Sequence, residues 1–154
     1  VVALSVDDAE NAAEMKDAYE LEFPVLYDTD TSVATEYGLY DLLGDGVSAP
    51  ATFIIRTDGT IESALIGTSI NERPTPDSIL DVLAALAGMD RATMADPDDD
   101  ASNAVEVVIP LDGAPGIGDI VPDFELPTAR GGPVSLGDNV AEKNVVLVFF
   151  RAWW

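Results

Sequence analysis

The sequence predicts an α/β domain with a central mixed sheet flanked by helices, and three observations carry that expectation. Six consecutive apolar residues, Val145 to Phe150, are rich in β-branched and aromatic side chains and too few for a membrane span, so they read as a strand buried on both faces. Val1 to Val6 is a second short apolar strand that runs straight into a helix start. Ala51 to Ile66 reads as a hairpin, and a capped, apolar-striped helix follows it.

Taken in order, Asp7 is expected as a helix N-cap with Glu10 three residues on, and the helix is expected to run to about Leu21. Its inner face would be Ala12, Met15 and Tyr19, with Glu10, Glu14, Lys16 and Asp17 toward water. Phe23 to Asp28 is a short extended piece in which Pro24 argues against a central strand. Val33 to Leu39 makes a brief helix ended by Gly38, and the loop Gly44 to Pro50 delivers the chain into a strand from Ala51 to Arg56. Asp58-Gly59 signals a two-residue type I′ turn, with Ile61 to Ile66 as the returning strand. Thr75 caps the next helix, Pro76 takes its first position and Gly88 lies just past its end. Ile79, Leu80, Val82, Leu83 and Leu86 form a broad apolar stripe, as for a helix packed on a sheet.

From Gly88 to about Gly118 the character changes to an acidic, Pro-broken linker, residues 89–117, with one candidate strand at Val105 to Ile109. The Asp96 to Asp100 run lacks the alternating ligands, central Gly and terminal Glu of a calcium loop, so no metal is expected there. Asp123 to Leu126 and Pro133 to Leu136 look like the two strands of an edge hairpin, and the terminal strand follows.

Asp and Glu number 29 against seven Lys and Arg, a formal charge of −22, yet 47% of residues are hydrophobic, which excludes a disordered polyanion. A lysine-poor, acidic surface suits a protein kept soluble in concentrated salt; because the acids are spread through every segment, they do not form a patch made for one basic partner. Nucleic acid needs a basic footprint and is excluded as a partner. With no Cys and no His, the chain offers no disulfide, Cys/His zinc site, thiol nucleophile or histidine base. Neither a signal peptide nor a membrane span is present, so a cytoplasmic location is expected. A first residue of Val within a strand leads to the expectation that the chain begins inside a domain, as a piece of something longer or a permutation.

The elements make more sense with the second half placed first. Gly118-Asp119-x-x-Pro122-Asp123-Phe124-x-Leu126, then Gly132-x-Val134-Ser135-Leu136, then Val145 to Phe150, resembles the opening of the redoxin families, the peroxiredoxins of alkyl hydroperoxide reductase and thiol-specific antioxidant type and their thioredoxin-like relatives. Val1 to Asp7, Phe23-Pro24-Val25-Leu26-x-Asp28, Tyr37-Gly38, Pro50-x-Thr52-Phe53 and Asp58-Gly59 resemble the closing part of the same domain. The resemblance implies a thioredoxin-like sandwich in permuted or fragmentary order: residues 1–88 as the later part of a redoxin domain, residues 118–154 as the earlier part. It also implies that Val145 to Phe150 is central, parallel to Val1 to Val6 and antiparallel to Ala51 to Arg56.

By the same resemblance, Ala49 and Pro50 would line the site through a cis-proline facing the reactive sulfur and through backbone contacts to substrate, with Thr52 beside them. Arg151, Trp153 and Trp154 fall at the carboxyl end of the last strand, where open α/β sheets collect their chemistry. Relatives carry a Cys-x-x-Cys motif directly after that Trp at a helix start, where the thiolate is favoured. Here that Cys and its helix are missing, and the Pro-x-x-x-Thr-x-x-Cys pattern of typical peroxiredoxins cannot be fitted onto Phe149 to Trp154. The family implies a peroxide or disulfide substrate, a thiol reductant such as thioredoxin and no cofactor. A redox-inactive binding or structural module is the alternative, and a sheet face left bare by the missing helix invites homodimerisation.

Overall fold

The computed structural model describes residues 1–67, 69, 74–88 and 114–152. The candidate strand at Val105 to Ile109, the Asp96 to Asp100 run, Trp153 and Trp154 lie outside them. The described elements are β1 (Val2–Ser5), α1 (Ala9–Ala18), β2 (Val25–Tyr27), α2 (Ser32–Glu36), β3 (Ala51–Ile55), β4 (Ile61–Ile66), α3 (Pro76–Ala87), β5 (Glu125–Leu126), β6 (Val134–Ser135), α4 (Leu136–Val140) and β7 (Val145–Phe149).

Five strands form one mixed sheet in the order β2-β1-β7-β3-β4. The apolar strand β7 is central, as expected from its composition. It is parallel to β1, with Val2 opposite Leu147, and antiparallel to β3, with Ala51 opposite Phe149. β2 is an edge strand, which tolerates Pro24 just before it. β5 and β6 pair as the expected small hairpin, Glu125 opposite Ser135.

The sheet's two faces are covered unequally. On one face Val2, Leu4, Phe53, Ile55, Leu147 and Phe149 join Tyr37, Phe124 and Leu136 in a single core drawn from both halves of the chain. Tyr37 is its centre: fully buried, with ring centroids 5.0 Å from Phe149 and 5.2 Å from Phe53. The Tyr37 hydroxyl donates to the Pro122 carbonyl at 2.9 Å, so the buried phenol is satisfied and the two halves are tied. On the other face α1 covers Ala3 and Val25 through Ala12 and Met15, and α3 packs on β3. Between them, Val146 and Val148 of β7 stay half-buried, while their neighbours Val145, Leu147 and Phe149 are buried.

Several local expectations are corrected. Asp8, not Asp7, caps α1: its carboxylate accepts from Glu10 N and Asn11 N at 3.1 and 2.9 Å, while Asp7 is still held against Ser5 at the end of β1. The helix stops at Ala18, so Tyr19 leaves the helical spacing and is 64% exposed instead of facing inward. The β3–β4 connection is not a type I′ turn. Gly59 has φ of +81° but Asp58 does not have positive φ, and Gly59 N donates to the Arg56 carbonyl at 2.9 Å. Arg56 N in turn donates to the Thr60 carbonyl at 2.9 Å, so this is a type I turn closed by a glycine bulge, with the register shifting at Ile54/Ile55. α3 has its expected caps, Thr75 and a left-handed Gly88, and it packs on β3, but its stripe from Ile79 to Leu86 is only half-buried. The short helix α4, capped by Ser135, has too few turns to show a period in the sequence.

Candidate functional site at the carboxyl edge of the sheet

The parallel strands β2, β1 and β7 end along one edge, where loops can present side chains to a ligand. Asp28 follows β2, Asp7 follows β1, Phe150 and Arg151 follow β7, and Ala49 and Pro50 lead into β3 from the same side. One step beyond the registered pair Ala51–Phe149, Pro50 lies beside Phe150.

The Ala49–Pro50 bond is trans, since the described chain contains no cis peptide; the expected cis-proline is thereby corrected. An X-Pro bond prefers trans unless its surroundings select otherwise, and here the flanking backbone is already satisfied in that form. Ala49 N donates to the Leu39 carbonyl at 2.9 Å, Ser48 Oγ donates to the Ala49 carbonyl at 3.2 Å, and Gly67 N donates to the Pro50 carbonyl at 2.8 Å. The Ala49 N–H is therefore spent within the fold rather than offered to a ligand.

Strand alternation decides which candidates meet. Ala51, Phe53 and Phe149 belong to the Tyr37 core, so Pro50, Thr52, Val148 and Phe150 share the opposite face. Thr52 is buried at 2% exposure opposite Val148. Arg151 is drawn to the other side: its guanidinium pairs with Asp45 of the loop between α2 and β3, with the two side chains only 20% and 25% exposed. Its Nη1 is buried without a hydrogen-bond partner. The structure thus brings Pro50 and Thr52 together with Phe150 and sets Arg151 apart from them.

Asp45 was invisible in the sequence as a partner for Arg151, because 106 positions separate them (151 − 45) and acidic residues are everywhere. Truncating it would leave a largely buried guanidinium with two unpaired ends. Asp45→Ala is expected to lower the unfolding free energy by about 1–3 kcal/mol, and Asp45→Asn, which keeps an acceptor, by less. Chemical denaturation of the two variants checks the order.

Asp28 is 1% exposed, and its carboxylate accepts from Ala34 N at 2.8 Å and from Ser32 Oγ at 3.4 Å. It thereby caps α2, whose own N-cap Thr31 makes no side-chain bond. Burial pushes the Asp28 carboxyl above the ordinary carboxylate range, against the pull of the Ala34 and Val33 N–H groups, and Asp30 adds to the rise. The folded state therefore holds this proton to higher pH than the unfolded chain. Its contribution to stability is complete below the ordinary range and falls as pH rises through the raised value. Asp28→Asn keeps an acceptor for Ala34 without a charge. Its melting temperature relative to the parent is expected to be highest near neutrality and to drop on acidification; a difference flat with pH would contradict this.

Among the described residues no group of three or more Asp or Glu is placed to hold a metal ion, and no helix is long and apolar enough to cross a membrane. Residues 1–64 match the AhpC/TSA family model, a span that runs from β1 into β4 and includes Asp7, Asp28, Tyr37, Pro50 and Thr52. Neither a curated protein nor a solved structure matches the chain. With the five-stranded mixed sheet and its flanking helices, the fold is thioredoxin-like, and residues 1–64 carry the pattern of the AhpC/TSA family of redoxins.

Proposed function

We propose that this chain carries the scaffold of a thiol-dependent antioxidant oxidoreductase that reduces peroxides or disulfides, its thiolate supplied by a helix that in the redoxin order follows a strand like β7 and leads into one like β1. The observation that carries the reading is the position of β7: central, parallel to β1, with its carboxyl end beside Pro50 on the face that also holds Thr52. The connection from β1 to β2 runs through α1 on that face. Because β7, β1 and β2 lie in that order, a right-handed crossover from β7 to β1 would run on the same face, over the half-buried Val146 and Val148. A cysteine at the start of such a helix would sit by Phe150 and Pro50, where the helix N-terminus favours its thiolate.

The chemistry is then a two-electron step. The thiolate attacks one peroxide oxygen, the O–O bond breaks, the sulfur becomes a sulfenic acid, and the departing alkoxide takes a proton from water. A thiol reductant such as thioredoxin would return the sulfur to the thiol. The chain itself has no Cys, and Met15, Met89 and Met94 are thioethers that cannot act as the thiolate.

The unmodified chain is expected to show no thiol-dependent peroxidase or insulin-reduction activity. A version carrying a Cys-x-x-Cys helix between Trp154 and Val1 is expected to gain it, and Pro50→Ala in that protein should impair turnover more than folding. Turnover by the unmodified chain above a blank would overturn the mechanism. A restored chain that folds and stays inert would favour the second reading, a redox-inactive binding module, which the absence of every cysteine supports.

A further inference from the structure

Away from the carboxyl edge, at the start of β2, a cavity of about 360 Å³ opens between α1 and the bend before β6. That volume is in the range of small-molecule sites. Lys16 and Arg130 both line it, two of the seven cations in a chain of net charge −22. Neither is loose. Lys16 Nζ donates to the Leu21 carbonyl at 2.5 Å and to the Phe23 carbonyl at 2.9 Å, and Arg130 is held by Asp17 through Nε and Nη2. That leaves Arg130 Nη1 outside the ion pair. The Thr128 hydroxyl fixes the bend by donating to the Gly132 carbonyl at 3.1 Å.

Gly131 and Gly132 form the wall beside Arg130, and their peptide N–H groups donate to no acceptor among the described residues. Lys16, Arg130 and the Gly131–Gly132 backbone line the cavity with one carboxylate, Glu22, a second carboxylate, Asp17, being taken up by Arg130, while Pro24, Pro133 and Val134 supply apolar wall. We propose that this cavity binds a small organic carboxylate with a short branched or cyclic apolar body, the carboxylate on the Gly131–Gly132 amides and Arg130, the body against the two prolines. The apolar wall disfavours a bare inorganic anion, which would lose its hydration there without contacts in return.

Gly132 gives a clean way to close the site. A Cβ added there meets nothing within 4 Å, and its φ is not in the left-handed range, so Gly132→Val fills open space without straining the bend. The test is an amide-resolved NMR titration of the whole chain with isovalerate in roughly 1 M KCl, where the screening length of about 3 Å removes the repulsion of the acidic surface. Saturable shifts centred on the Gly131 and Gly132 amides are expected. Neutral isovaleramide and the Arg130→Gln variant should each bind roughly tenfold more weakly, the scale of one charge-assisted hydrogen bond. Gly132→Val should abolish the shifts while leaving the rest of the spectrum in place. The proposal is overturned by an absence of shifts at these two glycines, by equal binding of isovaleramide or sulfate, or by Gly132→Val binding as the parent does. None of these outcomes depends on thiol chemistry.

Discussion

Tyr37→Ala is expected to remove most of the stability of this domain. The ring is fully buried, packs edge-on or tilted against Phe53, Phe124 and Phe149, and spends its hydroxyl on the Pro122 carbonyl. Truncating a large buried aromatic costs about 3–5 kcal/mol through lost transfer energy and the cavity left behind, against a total of roughly 5–15 kcal/mol for an ordinary domain. Tyr37→Phe separates the two contributions. It keeps the ring contacts and strands only the carbonyl, so about 1–2 kcal/mol is expected. Urea unfolding of both variants reads the difference, and an alanine variant within 1 kcal/mol, roughly, of the parent would show that the cluster does not organise the core.

Adding salt is expected to raise the melting temperature strongly. With 29 acidic and seven basic residues, folding concentrates like charge into a smaller volume. The two exposed ion pairs, Arg56–Glu62 and Arg130–Asp17, offset little of it. Screening shortens from about 10 Å at 0.1 M to about 3 Å at 1 M salt, which removes most of the repulsion between surface carboxylates. A gain of about 3 kcal/mol would move the midpoint by roughly 6–12 °C. Calorimetry across that range of KCl, beside sucrose at matched osmolality, tests it. A midpoint unchanged between the two salt concentrations would mean that the charge is already neutralised within the fold.

What the sequence made legible was governed by patterns that only one structure satisfies. An uninterrupted apolar run belongs mid-sheet, and β7 is central, although only its Val145, Leu147 and Phe149 face is fully covered and the expected burial of Val146 and Val148 is incomplete; the family resemblance supplied its neighbours. Thr75, Pro76 and Gly88 marked α3 because each has a backbone reason to stand at its position. The misses share a different cause, a choice between near-equal local options that tertiary contacts decide. Asp7 and Asp8 are both good caps, and Ser5 engages the first. Asp58-Gly59 suits several turns, and the bulge in β3–β4 selected the type I form. The sequence placed Pro50, Thr52 and Arg151 toward the carboxyl end of β7, and they lie there in the fold. It could not show that strand alternation sends Arg151 to Asp45 and away from the two others, because that depends on a loop docking from a distant part of the chain.

The order β2-β1-β7-β3-β4 also dictates when the sheet can come into being. β1 and β3 never touch as neighbours; each pairs with β7, and β7 is made from residues 145–149. A chain emerging from the ribosome can form the β1–β2 pair and the β3–β4 hairpin early, but two-stranded pieces are marginal alone. Their apolar faces, Leu4 on one and Phe53 on the other, wait open for the length of more than eighty further residues before the strand between them is synthesised. At about 5–20 residues per second that is a delay of several seconds. The middle of this sheet is its last part to be made, and the nascent chain must stay soluble until it arrives.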